Sequence, residues 1–147
     1  MHPLLSNPRS LGLYGLCWAV LCLVMAAWVR TTGLMNWREA LLVMLPAFGL
    51  YAFICLSPWY LCRFLPLKRT SMPVLIGNHM GASMFVSGVW IVAVSSLMSY
   101  VLQEQARVDV LLPLIYFAAL LLYILSTLLH YLLVSLETSR EAELAAR

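Results

Sequence analysis

The chain contains very little charge. Only 10% of its 147 residues are charged, whereas 63% are hydrophobic, and the mean hydropathy is +0.91. A soluble domain contains about 25% charged residues. An ordinary soluble kinase, hydrolase or nucleotide-binding fold is therefore excluded for these residues. No basic face is present that would bind nucleic acid.

The sequence also lacks the residue spacings that carry most enzyme and metal chemistry. It contains no paired carboxylates, no phosphate-binding loop and no Cys-x-x-Cys pair. Its four cysteines fall in or beside apolar stretches: Cys17, Cys22, Cys55 and Cys62. We interpret them as small buried side chains rather than as a disulfide framework. We therefore expect no catalytic residue and no bound cofactor.

What the chain does contain is four long stretches without Asp, Glu, Lys or Arg, at 10–29, 40–61, 70–103 and 110–136. A hydrocarbon core of about 30 Å needs roughly 20 mostly apolar helical residues. We therefore predict an all-α polytopic membrane protein in contact with the lipid bilayer. Its four transmembrane helices should cover about 11–29, 38–62, 74–102 and 109–136. Pro46 and Pro58 predict kinks in the second helix.

Positive charges are unevenly divided between the two sides of this scheme. Of the nine Lys and Arg residues, six fall on the side of both termini and three on the other side. Cytoplasmic segments of membrane proteins carry an excess of Lys and Arg. We therefore predict that both termini face the cytoplasm.

The fourth predicted helix has no residue that would end it after Leu136. Glu137 and Arg140 have a spacing at which opposite charges support a helix, and the surrounding Ala, Leu and Glu are strong helix formers. We predict that the four-helix domain at 1–136 continues into a rigid cytoplasmic signalling helix at 137–147. An ordinary charged tail is the alternative.

Five segments combine apolar runs with a few polar markers. They are HPLLSNPRSLGLY at 2–14, WREALL at 37–42, LYAFICLSPWYLC at 50–62, LPLKRTS at 65–71 and LHYLLVSLETSREAE at 129–143. Together they resemble the membrane domain of bacterial sensor histidine kinases of the LytS/AlgZ type. The last segment is similar to the helix that leads into the kinase core of those proteins.

The resemblance implies the sensor half of a kinase, cut before the kinase core. In that family an Asn-Pro-His-Phe-type phosphoacceptor helix and an ATP-binding domain come next, and a LytTR-type response regulator accepts the phosphate. Neither is present in these residues, so His130 is not expected to be the phosphoacceptor. The resemblance implies a homodimer in the bacterial inner membrane. It would act on the cytoplasmic kinase domain through His130, Leu136, Glu137 and Arg140.

Small residues in the third predicted helix form a candidate packing site. Gly77 and Gly81 have the GxxxG spacing that lets helix backbones approach closely in lipid, and Asn78 offers an interhelical hydrogen bond. Packing within the chain is the first interpretation. Contact between two copies is the alternative.

Two histidines are ionisable groups within the predicted spans. His79 lies near the start of the third helix and His130 near the end of the fourth, so antiparallel neighbours would place both at similar depth. Imidazole is a ligand for haem iron and other metals. A haem- or metal-binding membrane protein that uses His79 and His130 is therefore an alternative function. Lone histidines more often bond a backbone carbonyl, and we favour that interpretation over a metal site or a pH-sensitive pair.

A small four-helix transporter or channel subunit is the other alternative. It requires a polar path through the bundle. The scarcity of charge within the predicted spans counts against such a path.

Overall fold

The computed structural model describes residues 8–67 and 69–145; of 141–143 and 145 it describes the backbone alone. Three predicted parts lie outside the described residues: residues 2–7 of the segment at 2–14, Lys68, and the last two residues of the predicted signalling helix. The described chain forms five α-helices and no strand: α1 Pro8–Thr31, α2 Trp37–Ile54, α3 Pro58–Phe64, α4 Met72–Leu102 and α5 Gln105–Ala145.

The all-helical fold is as predicted, and four segments are long and apolar enough to cross a membrane. They are Pro8–Thr31, Trp37–Phe64, Met72–Leu102 and Gln105–Arg140. Large apolar side chains cover the outside of the bundle, as lipid contact requires. Examples at more than 60% exposure are Leu13, Phe53, Phe85 and Leu121.

The helix ends are explained by local residue chemistry. Asn36 and Glu39 form a capping box at the start of α2, in which each side chain accepts from the other residue's backbone N–H. Gly33 ends α1 with a φ of 76°, in the left-handed region that favours glycine. Gln103 has a φ of 53° between α4 and α5, so a non-glycine residue takes the same conformation there.

The second membrane-length segment is interrupted, where the sequence predicted kinks at proline. Helix α2 ends at Ile54, and α3 begins at Pro58 after a turn through residues 55–57. Proline at the first position of a helix needs no donor. Pro58 therefore starts a new helix here. Pro46 lies inside α2.

The helices pack in a chain of neighbours. Helix α1 packs chiefly on α2, α2 on α4 and α4 on α5, while α3 packs on α5. We call the end that carries the α3–α4 turn, residues 65–67 and 69–71, the turn end. The opposite end, with residues 32–36 and 103–104, is the loop end.

The buried side chains of the core are apolar at the loop end and partly polar at the turn end. Its loop-end half is formed by apolar side chains that are almost fully buried: Met35, Val43, Met44, Met98, Leu102, Val108, Leu111 and Ile115. The turn-end half also buries polar side chains: His79, Ser83, Ser87, Thr127 and His130. Between them, the hydroxyl of Tyr51 lies 2.7 Å from Ser87 Oγ and donates to Ala119 O at 2.8 Å. Tyr51 thus joins α2, α4 and α5.

Helix α5 is the longest element. It contains 41 residues, or about 62 Å at 1.5 Å per residue. Residues 135–140 are all exposed. Helix α5 runs without a break from Gln105 to Ala145.

Candidate functional site

The break between α2 and α3 frees backbone carbonyls that a continuous helix would satisfy. In lipid such groups need protein partners, because no water is present to bond them. Two hydroxyls supply the bonds: Tyr14 from α1 donates to Ala52 O, and Ser126 from α5 donates to Cys55 O at 2.7 Å. The break is thus held by side chains of both the first and the last helix.

A third hydroxyl holds the end of α3. The Tyr131 hydroxyl on α5 donates to Leu65 O at 2.9 Å. The Tyr131 hydroxyl oxygen also lies 2.8 Å from His79 Nε2 on α4. Cys62 Sγ on α3 also lies 3.8 Å from Thr127 O. We call Ser126, Tyr131, His79, Cys55 and Leu65 the hinge cluster. It connects α5 to the break, to the end of α3 and to α4.

His79 has one nitrogen satisfied within the hinge cluster. Its Nδ1 atom is buried and, among the described residues, has no hydrogen-bond partner; the same holds for Ser83 Oγ. The two residues lie four apart in α4, on the same helix face. The turn-end core therefore contains two buried polar atoms beside the hinge cluster, His79 Nδ1 and Ser83 Oγ, that could form further hydrogen bonds.

His130 lies next to Tyr131 in sequence but bonds within its own helix. Its Nδ1 donates to Ser126 O at 2.7 Å, and its ring lies 6.1 Å from the ring of Trp59. This backbone bond is the interpretation that the sequence favoured for a lone histidine. His79 and His130 therefore contact different partners, and no group of three or more His, Cys, Asp or Glu within the described residues is placed to hold a metal ion.

The glycines proposed for helix packing face outward. Gly77 and Gly81 are exposed, and no atom of the described chain, apart from their own helix backbone and chain neighbours, lies within 4 Å of where a Cβ would stand. Asn78 donates to Val74 O at 2.8 Å, within its own helix. The structure thus brings no other helix of this chain against Gly77 or Gly81. A contact between two copies stays a prediction.

The tail residues predicted to transmit a signal all lie on the exposed part of α5. Leu136, Glu137 and Arg140 are exposed, and Leu136 has 58% of its surface accessible. They lie one to three turns beyond the hinge cluster on the same helix.

Two cavities flank α5 at the turn end. A groove of about 470 Å³ lies between α1 and α5 and is lined by Tyr14, Trp18, Ser126 and His130 among mostly apolar residues. A second cavity of about 390 Å³, which we call the turn pocket, lies between the α3–α4 turn and α5. Both cavities include a hinge-cluster residue in their walls, since Ser126 lines the first and Tyr131 the second.

The loop end is held by Arg107, which in the sequence is simply a charge in a short loop. Arg107 donates to Leu34 O at 3.0 Å and to Leu102 O at 3.1 Å. It also forms ion pairs with Glu39 at 3.4 Å and with Glu104 at 2.8 Å. One side chain thus ties both loops to the start of α2.

Sequence reasoning missed the residues that organise the turn end. Tyr14, Ser126 and Tyr131 occur within apolar runs, where no motif distinguishes them. The available signal was Pro58: a proline within a predicted span frees a carbonyl, and a nearby hydroxyl is needed to bond it.

No protein-family model, no curated protein and no solved structure matches this chain. What the chain does must therefore be inferred from its residues and their geometry.

Proposed function

We propose that this chain is the membrane-embedded sensory and dimerisation module of a bacterial sensor histidine kinase. In this proposal both termini face the cytoplasm of the inner membrane, and α5 passes the signal to a cytoplasmic kinase domain and through it to a response regulator. The observation that carries the proposal is helix α5 itself. It is held by side chains inside the bundle, and it is a single helix from Gln105 to Ala145.

The hinge cluster fixes the rotation of α5 from two directions. Ser126 is bonded to Cys55 O at the break, and Tyr131 is bonded to Leu65 O and His79. Hydrogen bonds weaken steeply with distance and angle. A change in the packing of α3 or α4 therefore either turns α5 with it or breaks these bonds. A free-energy difference of about 1–3 kcal/mol between the arrangement with these bonds and an arrangement with α5 turned is enough to control a distant site.

The dimer in this proposal uses the exposed face of α4. Gly77 and Gly81 have open space beside them on that helix, and a second copy can approach closely there. Two α5 tails would then project on the same side of the membrane, as a dimeric kinase core requires.

The two alternative functions have less support. A transport path would have to cross the loop-end half of the core, where the buried side chains of the described residues are apolar. A haem or metal site would have to use histidines that already bond protein groups, His79 to Tyr131 and His130 to Ser126.

The relay is tested by inserting one to seven alanines after Glu137 in the full-length protein. Phosphate incorporation from ATP is measured in native membranes. Each inserted residue turns the helix beyond it by about 100°, so activity should rise and fall with helical phase and return near its starting value at seven residues. The seven-residue insertion is the matched control, because it lengthens the helix while restoring the phase to within about 20°.

The outcomes separate the candidates. Activity that ignores helical phase contradicts the relay, and a full-length protein that incorporates no phosphate contradicts the kinase assignment. Solute flux through proteoliposomes of the purified chain would favour the transporter. A Soret band that disappears in His79→Ala or His130→Ala would favour the haem protein.

A further inference from the structure

The turn pocket is lined by both polar and apolar side chains. Its polar lining residues include Arg69, Thr138 and Ser139, and its apolar ones include Leu67 and Val134. Its volume of about 390 Å³ falls within the range of small-ligand sites. The pocket therefore suits a molecule with a polar end and an apolar end.

The pocket also lies where the bundle meets the membrane surface. The charge-free stretch of α5 ends at Leu136, and Glu137 begins the polar tail. The lining residues of α5 run from Tyr131 to Ser139 and so cross this boundary. Tyr131 and Val134 thus line the pocket at hydrocarbon depth, whereas Thr138, Ser139 and the charged Arg69 belong at the depth of lipid headgroups.

The charged residue that lines the pocket is positive. Arg69 lines it, and no carboxylate is among the described lining residues. A guanidinium group binds phosphate oxygens in a bidentate manner. Hydroxyls of Ser135 and Ser139 supply further donors beside it.

We propose that the turn pocket binds the headgroup of an anionic phospholipid. Its phosphate lies on Arg69 and its acyl chains run along Leu67 and Val134. Basic pockets between membrane helices bind such headgroups. The bound lipid touches both the α3–α4 turn and α5. It therefore stabilises the arrangement in which the hydrogen bonds of the hinge cluster are formed. This inference rests on the membrane placement of the bundle and not on the kinase assignment.

The test uses the purified full chain in detergent, with lipid retention measured by native mass spectrometry. Phosphatidylglycerol and phosphatidylethanolamine with identical acyl chains are added separately. Wild-type protein should retain phosphatidylglycerol about fivefold better, as one basic residue near an anionic headgroup predicts. Arg69→Gln should remove this preference. Ser135→Leu should displace the lipid by filling the pocket without a change in charge.

Arg9→Gln is the matched control, because it removes the same charge at the start of α1, outside the residues that line the pocket. It should keep the preference. Equal retention of both lipids by wild-type protein, or a preference that survives Arg69→Gln, overturns the proposal. Displacement of the lipid by inorganic phosphate at equal concentration would identify a site for free anions and would overturn the lipid assignment as well.

Discussion

The hydroxyl oxygen of Tyr131 lies between two hydrogen-bond partners, 2.8 Å from His79 Nε2 and 2.9 Å from Leu65 O. A carbonyl can only accept, so the phenol donates to Leu65 and accepts from His79. This assigns the proton of a neutral imidazole to Nε2. One phenol therefore connects α4, α5 and the residue immediately after α3.

Removal of this hydroxyl should weaken the turn end. We expect Tyr131→Phe to lower the free energy of unfolding by about 1–2 kcal/mol, because the carbonyl and the imidazole both lose a partner away from water. Unfolding in detergent is the measurement, and a double-mutant cycle with His79→Ala isolates the shared bond. Tyr100→Phe is the control, since Tyr100 is 80% exposed. Equal effects of the two Tyr→Phe changes would contradict the hinge cluster.

Arg107, in the first turn of α5, should contribute more to the free energy of unfolding than an exposed arginine does. Arg107→Gln removes ion pairs to Glu39 and Glu104 and bonds to two loop carbonyls. We expect a loss of about 1–2 kcal/mol, reduced by its partial exposure and by added salt. The measurement is unfolding in detergent at low and high salt. Arg38→Gln, at an exposed site, should cost less than about 0.5 kcal/mol; a similar cost for both would show that Arg107 is not special.

Substitutions at the two described residues with a left-handed backbone, Gly33 and Gln103, should change the free energy of unfolding in opposite directions. Gly33→Ala places a Cβ in a conformation that disfavours it and should cost about 1 kcal/mol. Gln103→Gly removes that penalty and should stabilise the turn by a similar amount or less. Thermal unfolding of both variants checks this, with Gly12→Ala inside α1 as the control for the loss of glycine. Destabilisation by Gln103→Gly would mean that its side chain contributes more than its backbone conformation costs.

Substitution of the outward-facing glycines should separate folding from dimerisation. Gly77→Leu and Gly81→Leu meet open space within the chain, so the unfolding free energy should change by less than about 0.5 kcal/mol. A dimer built on this face should be lost, as measured by cross-linking in membranes. Gly12→Leu on α1 is the matched control. A dimer that persists in both variants would place the contact elsewhere.

The number and approximate position of the membrane-length helices could be predicted from the sequence, because charge-free stretches of this length are typical of membrane spans and rare in soluble domains. The helix ends were also readable in part. Asn36 with Glu39 is a capping pair and Gly33 a helix terminator. The all-helical fold is therefore largely a consequence of composition and local signals.

The contacts inside the bundle were not predictable in the same way. A helix that is apolar all around carries no periodic pattern to show which face turns inward. Tyr131 could have faced lipid, and Gly77 could have faced a neighbouring helix. Which hydroxyl reaches which freed carbonyl depends on helix rotations that are set by packing, and packing depends on all four segments at once.

The interruption at residues 55–57 also affects the order in which the molecule can be completed. Helices α1 and α2 form a hairpin that is synthesised first, and Tyr14 within it already bonds Ala52 O. Ser126 and Tyr131 come 71 and 66 residues after the carbonyls that they bond. Cys55 O and Leu65 O therefore remain without these partners until the last helix has entered the membrane. Assembly ends where the proposed relay begins, so a defect in the insertion of α5 would leave the second membrane segment without these hydrogen bonds at its break.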